Sequence, residues 1–436
     1  MPVYPADSSH CSTKAICMPR GATMLTEKEK LDKLLALGIE LNQLKDLDIL
    51  LERILTDARK FVNADAGSIY IRNREEDTLE FTYTQNDTLQ ERLPKGEKLI
   101  YATFSLPINK ESISGYVATT GQLLNIPDVY KLDPTAPYHF GKKFDEEAGY
   151  KTRSIITVPL KTRRGDILGI LQIINAQDEN RKITSFTESD EKLMLHFAST
   201  AAVALERAQM TRSILLRMIR MSEMRDPKET GPHVNRVGGY SIEIYEQWAQ
   251  KHQLPKDEFD RNRDSLRMAA MLHDVGKIAI SDIILKKPSR FNEDEFETMK
   301  QHTFLGARLF LNAQSDFDEA AFDVALNHHE RWDGRGYPGH IDVTTGTILA
   351  GFESPDGKAI GKKGDEIPIF GRIVALADVY DALSSKRVYK DAWKESDVLD
   401  TIEKESGAQF DPELIEIFFS RLNVLRSIQN RYADDP

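Results

Sequence analysis

Strand-like hydrophobic alternation is confined to the first half of this chain, and that limits what it can fold into. Over AGSIYIRNREEDTLEFTYTQ (66–85) apolar and polar residues alternate on both sides of a polar Glu75-Glu76-Asp77 turn. A two-residue period flanking a turn is the signature of a β-hairpin. The pattern recurs over RSIITVPLKTRRGDILGILQIINAQ (153–177), around Arg163-Arg164-Gly165-Asp166. Between the two, SISGYVATTGQLLNIPDV (112–129) reads as a short helix, a Gly and a short strand, and Leu25–Val62 and the run from Thr187 step at helical intervals. Beyond residue 213 only helical periodicity and loops remain. The expected architecture is multidomain: an α+β sheet domain over 26–208, then an all-α domain over 210–430.

With 436 residues the chain has room for two or three domains. Residues 1–25 read as a flexible tail. Residues 186–224 contain neither Pro nor Gly and read as a connector helix. Leu205, Ala208, Leu215, Ile219 and Ser222 approximate a heptad seam on it, broken by Arg212. The segment is either a dimer-forming connector or a simple packed helix. Asn292 and Glu295 have the spacing of a capping box.

Charge and cysteine usage narrow the partners. A net charge of −11 argues against a general nucleic-acid coat or a binder of anionic membranes. Cys11 and Cys17 are the only cysteines, so neither a disulfide framework nor a thiolate-held metal is expected in the body of the protein. The N-terminus has no apolar core of signal-peptide length, and LMLHFASTAAVAL (193–205) is too short to span a bilayer. The expected location is cytoplasmic.

Six of the ten histidines fall between 233 and 329, and five of them stand beside suggestive neighbours: His233, His273, His302, His328 and His329. Without cysteine the donor set is imidazole and carboxylate, which suits Fe, Mn, Zn, Ni or Co. In MLHDVGKI (271–278) the apolar Met271-Leu272 places His273 and Asp274 at a buried helix end. A buried, unpaired His-Asp dyad is costly; a metal, or a mutual salt bridge, would relieve it. Adjacent helical residues point about 100° apart, so Asp274 is suited to bridge two metals while His273 binds one. By the same divergence His328 and His329, side by side in NHHERWDGRGYPG (327–339), do not easily serve one point. Gly276 leaves room for Lys277 to approach a bound phosphate. Asp378 lies in the apolar helix IVALADVYDAL (373–383), where a buried carboxylate needs a partner. Asp381, one turn on, reads as a surface or salt-bridge residue. Arg387, in SSKRVYK (384–390), is within reach of an anionic ligand.

The phrases of the first half, in order, resemble a GAF domain, a small sensory module. Some GAF domains that bind cyclic nucleotides carry an Asn-Lys, Phe, Asp-Glu signature. Asn109-Lys110, Phe140 and Phe144-Asp145-Glu146 approach it with spacing about one residue off. The resemblance implies a module that binds a cyclic nucleotide, binds another small molecule, or only dimerises. In the second half RDPKETGPHVNRV (225–237), LHDVGKIAISDIIL (272–285), HTFLGARL (302–309), HHERWDGRGYP (328–338) and ADVYDAL (377–383) resemble the HD-GYP family, a subgroup of the HD phosphohydrolases.

That resemblance implies hydrolysis of the bacterial messenger cyclic di-GMP to pGpG, and onward to GMP where a third metal binds. It implies two or three divalent ions, Fe first and Mn as the alternative, on His233, His273, Asp274, His302, His328, His329 and Asp378. It makes Asp274 and Lys277 catalytic and places Lys277 and Arg387 on phosphate. Glu229 matches a position that supports a third metal in some members; as Pro232 suits a first helical turn, Glu229 falls on the preceding loop, where a solvated acid is the alternative. Two or three cations would neutralise an anionic phosphodiester and activate water near neutral pH. The chain departs from the family in IDVTTGTILAGFESPDGKAIGKKGDEI (341–367), longer than the usual connection, with Ser354-Pro355-Asp356-Gly357 as a turn inside a hairpin, and in Val388, where a Pro is common. Two other readings stay open: a non-catalytic cyclic di-GMP receptor, and a phosphohydrolase of another cyclic dinucleotide.

Overall fold

The computed structural model describes residues 36–94, 97–99, 104–223, 231–385 and 393–433. The first helix, expected to run unbroken to Val62, is two: α1 over 36–43 and α2 over Leu47–Phe61. Asp46 causes the break. It is extended (φ −75°, ψ 133°) and its carboxylate accepts from the N–H groups of Asp48 and Ile49, an N-cap. Asp264, more than 200 residues away in the second half, accepts from the N–H groups of Lys45 and Asp46 at 3.0 and 2.8 Å.

The elements that follow are β1 (Ala64–Asn73), β2 (Thr78–Asn86), α3 (Asp87–Gln90), β3 (Ser105–Pro107), α4 (Ile113–Thr120), β4 (Leu124–Ile126), α5 (Lys143–Ala148), β5 (Ile155–Lys161), β6 (Ile167–Gln177), β7 (Ile183–Thr184) and α6 (Glu188–Glu223). Both expected hairpins form, β1 with β2 and β5 with β6. They join through β1 and β6 into one antiparallel sheet, ordered β3-β2-β1-β6-β5-β4, with β7 on β6. β1 and β6 are buried along most of their length because both faces are covered. α1, α2 and α6 cover one, through Leu41, Leu50, Ile54, Phe197 and Ala201. α4 covers the other, where Val117 meets Tyr70, Phe81 and Ile170.

The second half is helical: α7 (Gly231–Lys251), α8 (Lys256–Ala270), a 3-10 turn (Val275–Ala279), α9 (Asp282–Leu285), α10 (Glu293–Lys300), α11 (His302–Ala307), α12 (Asp316–Asn327), α13 (Ile369–Ser384), α14 (Glu395–Lys404), α15 (Pro412–Ser420) and α16 (Leu422–Arg431). Its core gathers Val237, Tyr240, Leu266, Ala269, Val324, Ile373 and Phe418. The Asn292–Glu295 capping box is present at the start of α10. In the long connection Gly357 donates to Ser354 O at 2.9 Å, closing the expected turn. Among the described residues no helix is long and apolar enough to cross a membrane.

The heptad seam expected on α6 is corrected. Leu205 and Ala208 are buried in the core of the sheet domain, and Leu215 and Ile219 in that of the helical domain; the side chain of Ser222 lies outside the described residues. A coiled-coil seam and a packed helix face repeat every 3.5 and 3.6 residues, too close to separate over five turns. The apolar side chains that α6 leaves exposed are others, among them Val203, Met210, Ile214 and Met221.

Ions join the two domains. Arg267 of α8 pairs with Asp46, at 3.2 Å, and with Asp48. Arg263 pairs with Glu52, and Lys98 with Glu243 and Glu246 at 2.8 Å each. Burial holds the Asp264 carboxyl up at about 6 against an ordinary 3.8. The folded state therefore binds this proton more tightly than the unfolded state, and the resulting stability is complete below pH 3.8 and lost as pH rises through 6. Between pH 5 and 7 the melting temperature of the wild type should fall relative to that of an Asp264→Asn variant. A gap between the two melting curves that does not vary with pH would refute this.

Candidate metal centre

The ligand candidates come from five helices or their ends. His233 lies in the first turn of α7, and His273 follows the end of α8. Asp274 caps the 3-10 turn, His302 opens α11, His328 caps α12 and Asp378 lies in α13. His233, His273, His302 and His328 are each at most 4% exposed. One donor atom from each of Asp274, His302, His328 and His329 falls within 4.8 Å of the others, and the same holds for His233, His273 and Asp378. Asp274 stands between the groups. Its Oδ1 is 3.1 Å from His302 Nε2 and 3.5 Å from His328 Nε2, while its Oδ2 is 3.3 Å from His273 Nε2. Asp378 Oδ1 is 3.7 Å from His233 Nε2 and 3.8 Å from His273 Nε2.

The outer ring nitrogens of four of these histidines are engaged. Nδ1 of His273 bonds Ala270 O at 2.8 Å, that of His302 bonds Met299 O at 2.7 Å, and that of His328 bonds Val324 O at 3.0 Å. Nδ1 of His233 bonds Asp381 Oδ2 at 2.9 Å. A proton on Nδ1 leaves each Nε2 lone pair facing the cluster, the arrangement of metal-binding histidines. Asp274 Oδ1 is buried and accepts no hydrogen bond of good geometry. Burial pushes the Asp274 carboxyl up, but Lys277 and His273 draw it well below the usual carboxylate range. Burial depresses both His328 and His329, the latter strongly. An anionic carboxylate among imidazoles, with no thiolate, is a donor set that fits divalent transition metals.

The structure revises one expectation about spacing. His328 and His329 place their donor atoms in the same group, with ring centroids 4.2 Å apart. The helical divergence does not apply, because α12 ends at Asn327 and His329 lies in the turn beyond. Tyr337 stacks on His329 at 4.8 Å. Lys277 Nζ lies 2.5 Å from Asp274 Oδ2. Glu229 and Arg387 lie outside the described residues. In the sheet domain Asp145 is buried and accepts from Thr152 N, Thr152 Oγ1 and Tyr130 OH, each at 2.8 Å, so its carboxylate is spent on local structure.

Two residues matter more here than their sequence suggested. Asp381 is 1% exposed; besides His233 it binds Arg236 through both oxygens, at 2.6 and 2.9 Å. Glu330, also buried, accepts from Gly339 N at 2.7 Å and Lys362 N at 3.1 Å, and burial raises its carboxyl to about 7. It ties the Gly336-Tyr337-Pro338 turn to the long connection. An acid placed directly after a pair of candidate ligands was the available signal.

Comparison with known proteins agrees with this division. Residues 46–205 match the GAF domain family, and residues 231–383 the HD domain family, with a further HD domain match over 354–414. The chain thus joins a GAF domain to an HD domain that carries a Gly-Tyr-Pro turn. It is 36% identical over 215 residues to a cyclic di-GMP phosphodiesterase of Thermotoga maritima, covering 49% of this chain and 50% of that one. It is 36% identical over 219 residues to a cyclic di-GMP phosphodiesterase of Vibrio cholerae (49% and 40%), and 34% identical over 207 residues to the 3'3'-cGAMP-specific phosphodiesterase 2 of the same organism (48% and 34%). The chain thus spans from about a third to half the length of these relatives.

Gly276 has a steric role besides the one read from sequence. A Cβ there would lie 1.9 Å from His302 O and 2.4 Å from Gly306 N. The 3-10 turn and α11 touch backbone to backbone, which brings Asp274 to His302. Gly276→Ala should cost about 3 kcal/mol or more, read as a lowered denaturant midpoint. Gly141→Ala, where a Cβ meets nothing within 4 Å, should leave the midpoint within error. Equal midpoints for the two variants would remove the steric argument.

Proposed function

We propose that the chain is a metal-dependent phosphodiesterase that hydrolyses cyclic di-GMP to pGpG under control of its GAF domain. The observation that carries this is the two-sided placement of Asp274, each oxygen directed at a different set of imidazoles. We assign His233, His273, Asp274, His302, His328, His329 and Asp378 as ligands. Fe is assigned first and Mn as the alternative, as the resemblance to the HD-GYP family implies; the donor set itself suits either. The bound ions supply charge neutralisation and activated water. The chain's own groups hold the substrate: Lys277, already at the Asp274 carboxylate, meets a phosphate oxygen. Arg387 is assigned as a second phosphate contact, and Glu229 as ligand of a third ion that would extend the reaction to GMP. In the reaction a water oxygen bonds to phosphorus, the bond to the 3′-oxygen breaks, and that oxygen leaves with a proton.

A second substrate has one observation in its favour, the 3'3'-cGAMP-specific name of one relative. The kcat/KM ratio for the two cyclic dinucleotides, measured on one preparation, decides between them. The receptor reading is weaker, because all seven assigned ligands converge. With Fe(II) or Mn(II) loaded, the protein should linearise cyclic di-GMP, and Asp274→Ala should lower kcat by more than about a hundredfold. A metal-replete protein that binds the dinucleotide without cleaving it would overturn the enzyme reading.

We further assign the exposed stripe Val203, Met210, Ile214 and Met221 of α6 as the contact with a second copy, within the cytoplasm. Burying such side chains favours association, and Met suits an adaptable contact. Met210→Glu combined with Ile214→Glu should convert a dimer to a monomer in sedimentation, with the fold intact. An unchanged sedimentation coefficient counts against the stripe.

A further inference from the structure

A continuous line of hydrogen bonds runs from the sensory helix to a candidate metal ligand. It starts at Asp48, in the first turn of α2. Tyr432 OH donates to Asp48 Oδ2 at 3.2 Å. The backbone carbonyl of the same Tyr432 accepts from Arg236 Nη1 at 2.7 Å. Arg236, 2% exposed, grips Asp381 through Nε and Nη2. Asp381 Oδ2 takes the Nδ1 position of His233 at 2.9 Å. A second strand starts from the same carboxylate: Arg212 of α6 meets Asp48 at 3.2 Å and donates to Asn235 Oδ1 at 2.7 Å, two residues from His233.

Burial makes these contacts matter. Removing either partner of the Arg236–Asp381 pair would leave a buried charge uncompensated, so the pair holds one geometry. That geometry sets the ring of His233, because a group bonded to the outer nitrogen orients a metal-binding imidazole. Tyr432 is the joint, reaching one domain with its hydroxyl and the other with its carbonyl. Burial raises the Asp48 carboxyl, but Arg267, Arg212 and Arg431 hold it far below the usual range, so it is anionic and acceptor-only. A cleft of about 530 Å³, lined by Asp48, Arg267, Arg431 and Tyr432 among others, runs along this face. The domains therefore meet there through polar contacts with space beside them, which lets a shift of α2 reach Tyr432.

We propose that Asp48, Tyr432, Arg236 and Asp381 form a positioning relay, through which the placement of the GAF helix α2 sets the metal affinity of the group containing His233. The relay rests on the reading of that group as a metal site. It assigns no chemistry to its members; each acts through the next.

The test is Mn(II) titration calorimetry on the full chain. Asp381→Asn should weaken one class of Mn(II) site about tenfold or more. Asp48→Asn should weaken the same class about threefold, with Tyr432→Phe following in the same direction. Glu52→Gln, which removes an ion pair from the same interface off the line, should leave the affinity unchanged. In an Asp381→Asn background the effect of Asp48→Asn should shrink, because only the strand through Arg212 and Asn235 is left. Equal shifts from Asp48→Asn and Glu52→Gln would reduce the relay to general domain docking, and effects of Asp48→Asn and Asp381→Asn that simply multiply would overturn it. Turnover of cyclic di-GMP is followed in parallel. The expected affinity pattern without turnover keeps the relay and removes the phosphodiesterase reading; a chain that binds no Mn(II) removes both.

Discussion

The second half of the molecule is organised around one buried carboxylate. Ionised Asp274 is expensive to bury, by several kcal/mol after relaxation, unless charge and hydrogen bonds surround it. Lys277 supplies a cation at 2.5 Å, and three imidazole nitrogens lie within 3.5 Å of its oxygens. Meeting that demand fixes where α8, the 3-10 turn, α11 and α12 converge. The glycines are part of the same requirement, since Gly276 and Gly306 allow the backbone contact that brings the turn to α11.

Helix ends explain why the candidate ligands sit where they do. The last carbonyls of a helix have no intrahelical donor. Ala270 O, Met299 O and Ala325 O are such groups at the ends of α8, α10 and α12, and each takes the Nδ1 position of a candidate ligand histidine just beyond. One contact satisfies the helix and aims the imidazole. The three helices also turn their negative dipole ends toward the site, which favours a cation there. His233 is the exception. It lies at a helix start, where carbonyls are not free, and its outer nitrogen needs a side chain, Asp381.

That exception marks where the sequence ceases to be legible. The two hairpins could be read from alternation, and the His/Asp cluster from an unusual concentration of His and Asp in helical phrases. Both signals are local. The role of Asp381 is not, because its partner His233 is 148 residues away, and Asp381 alone on a helix carries no sign of burial. The break between α1 and α2 is similar. Asp46 supplies a local cap signal, but the N–H acceptor that holds the bend belongs to Asp264 in the other domain. The α6 seam misled for another reason: a period names a face without naming what covers it. His328 and His329 misled because the helical angle was applied past the residue where the helix ends.

How the two domains communicate follows from what α6 can do. Leu205 and Ala208 belong to one core, and Leu215 and Ile219, barely three turns on, to the other. Turning the helix about its axis would draw apolar side chains out of both cores together, at roughly 1.5–3 kcal/mol for each large residue exposed. The helix is therefore a strut that holds the domains in register. Motion between them is easier across the polar face, where Asp48, Arg212, Arg263 and Arg267 meet their partners beside a cleft. The part-exposed Arg263–Glu52 pair there can be exchanged for water at small net cost, whereas a core cannot. A signal from the sensory domain then has its softest path through α2 and the end of α16, and that path ends on His233, a candidate ligand whose outer nitrogen is held by a side chain instead of a helix end.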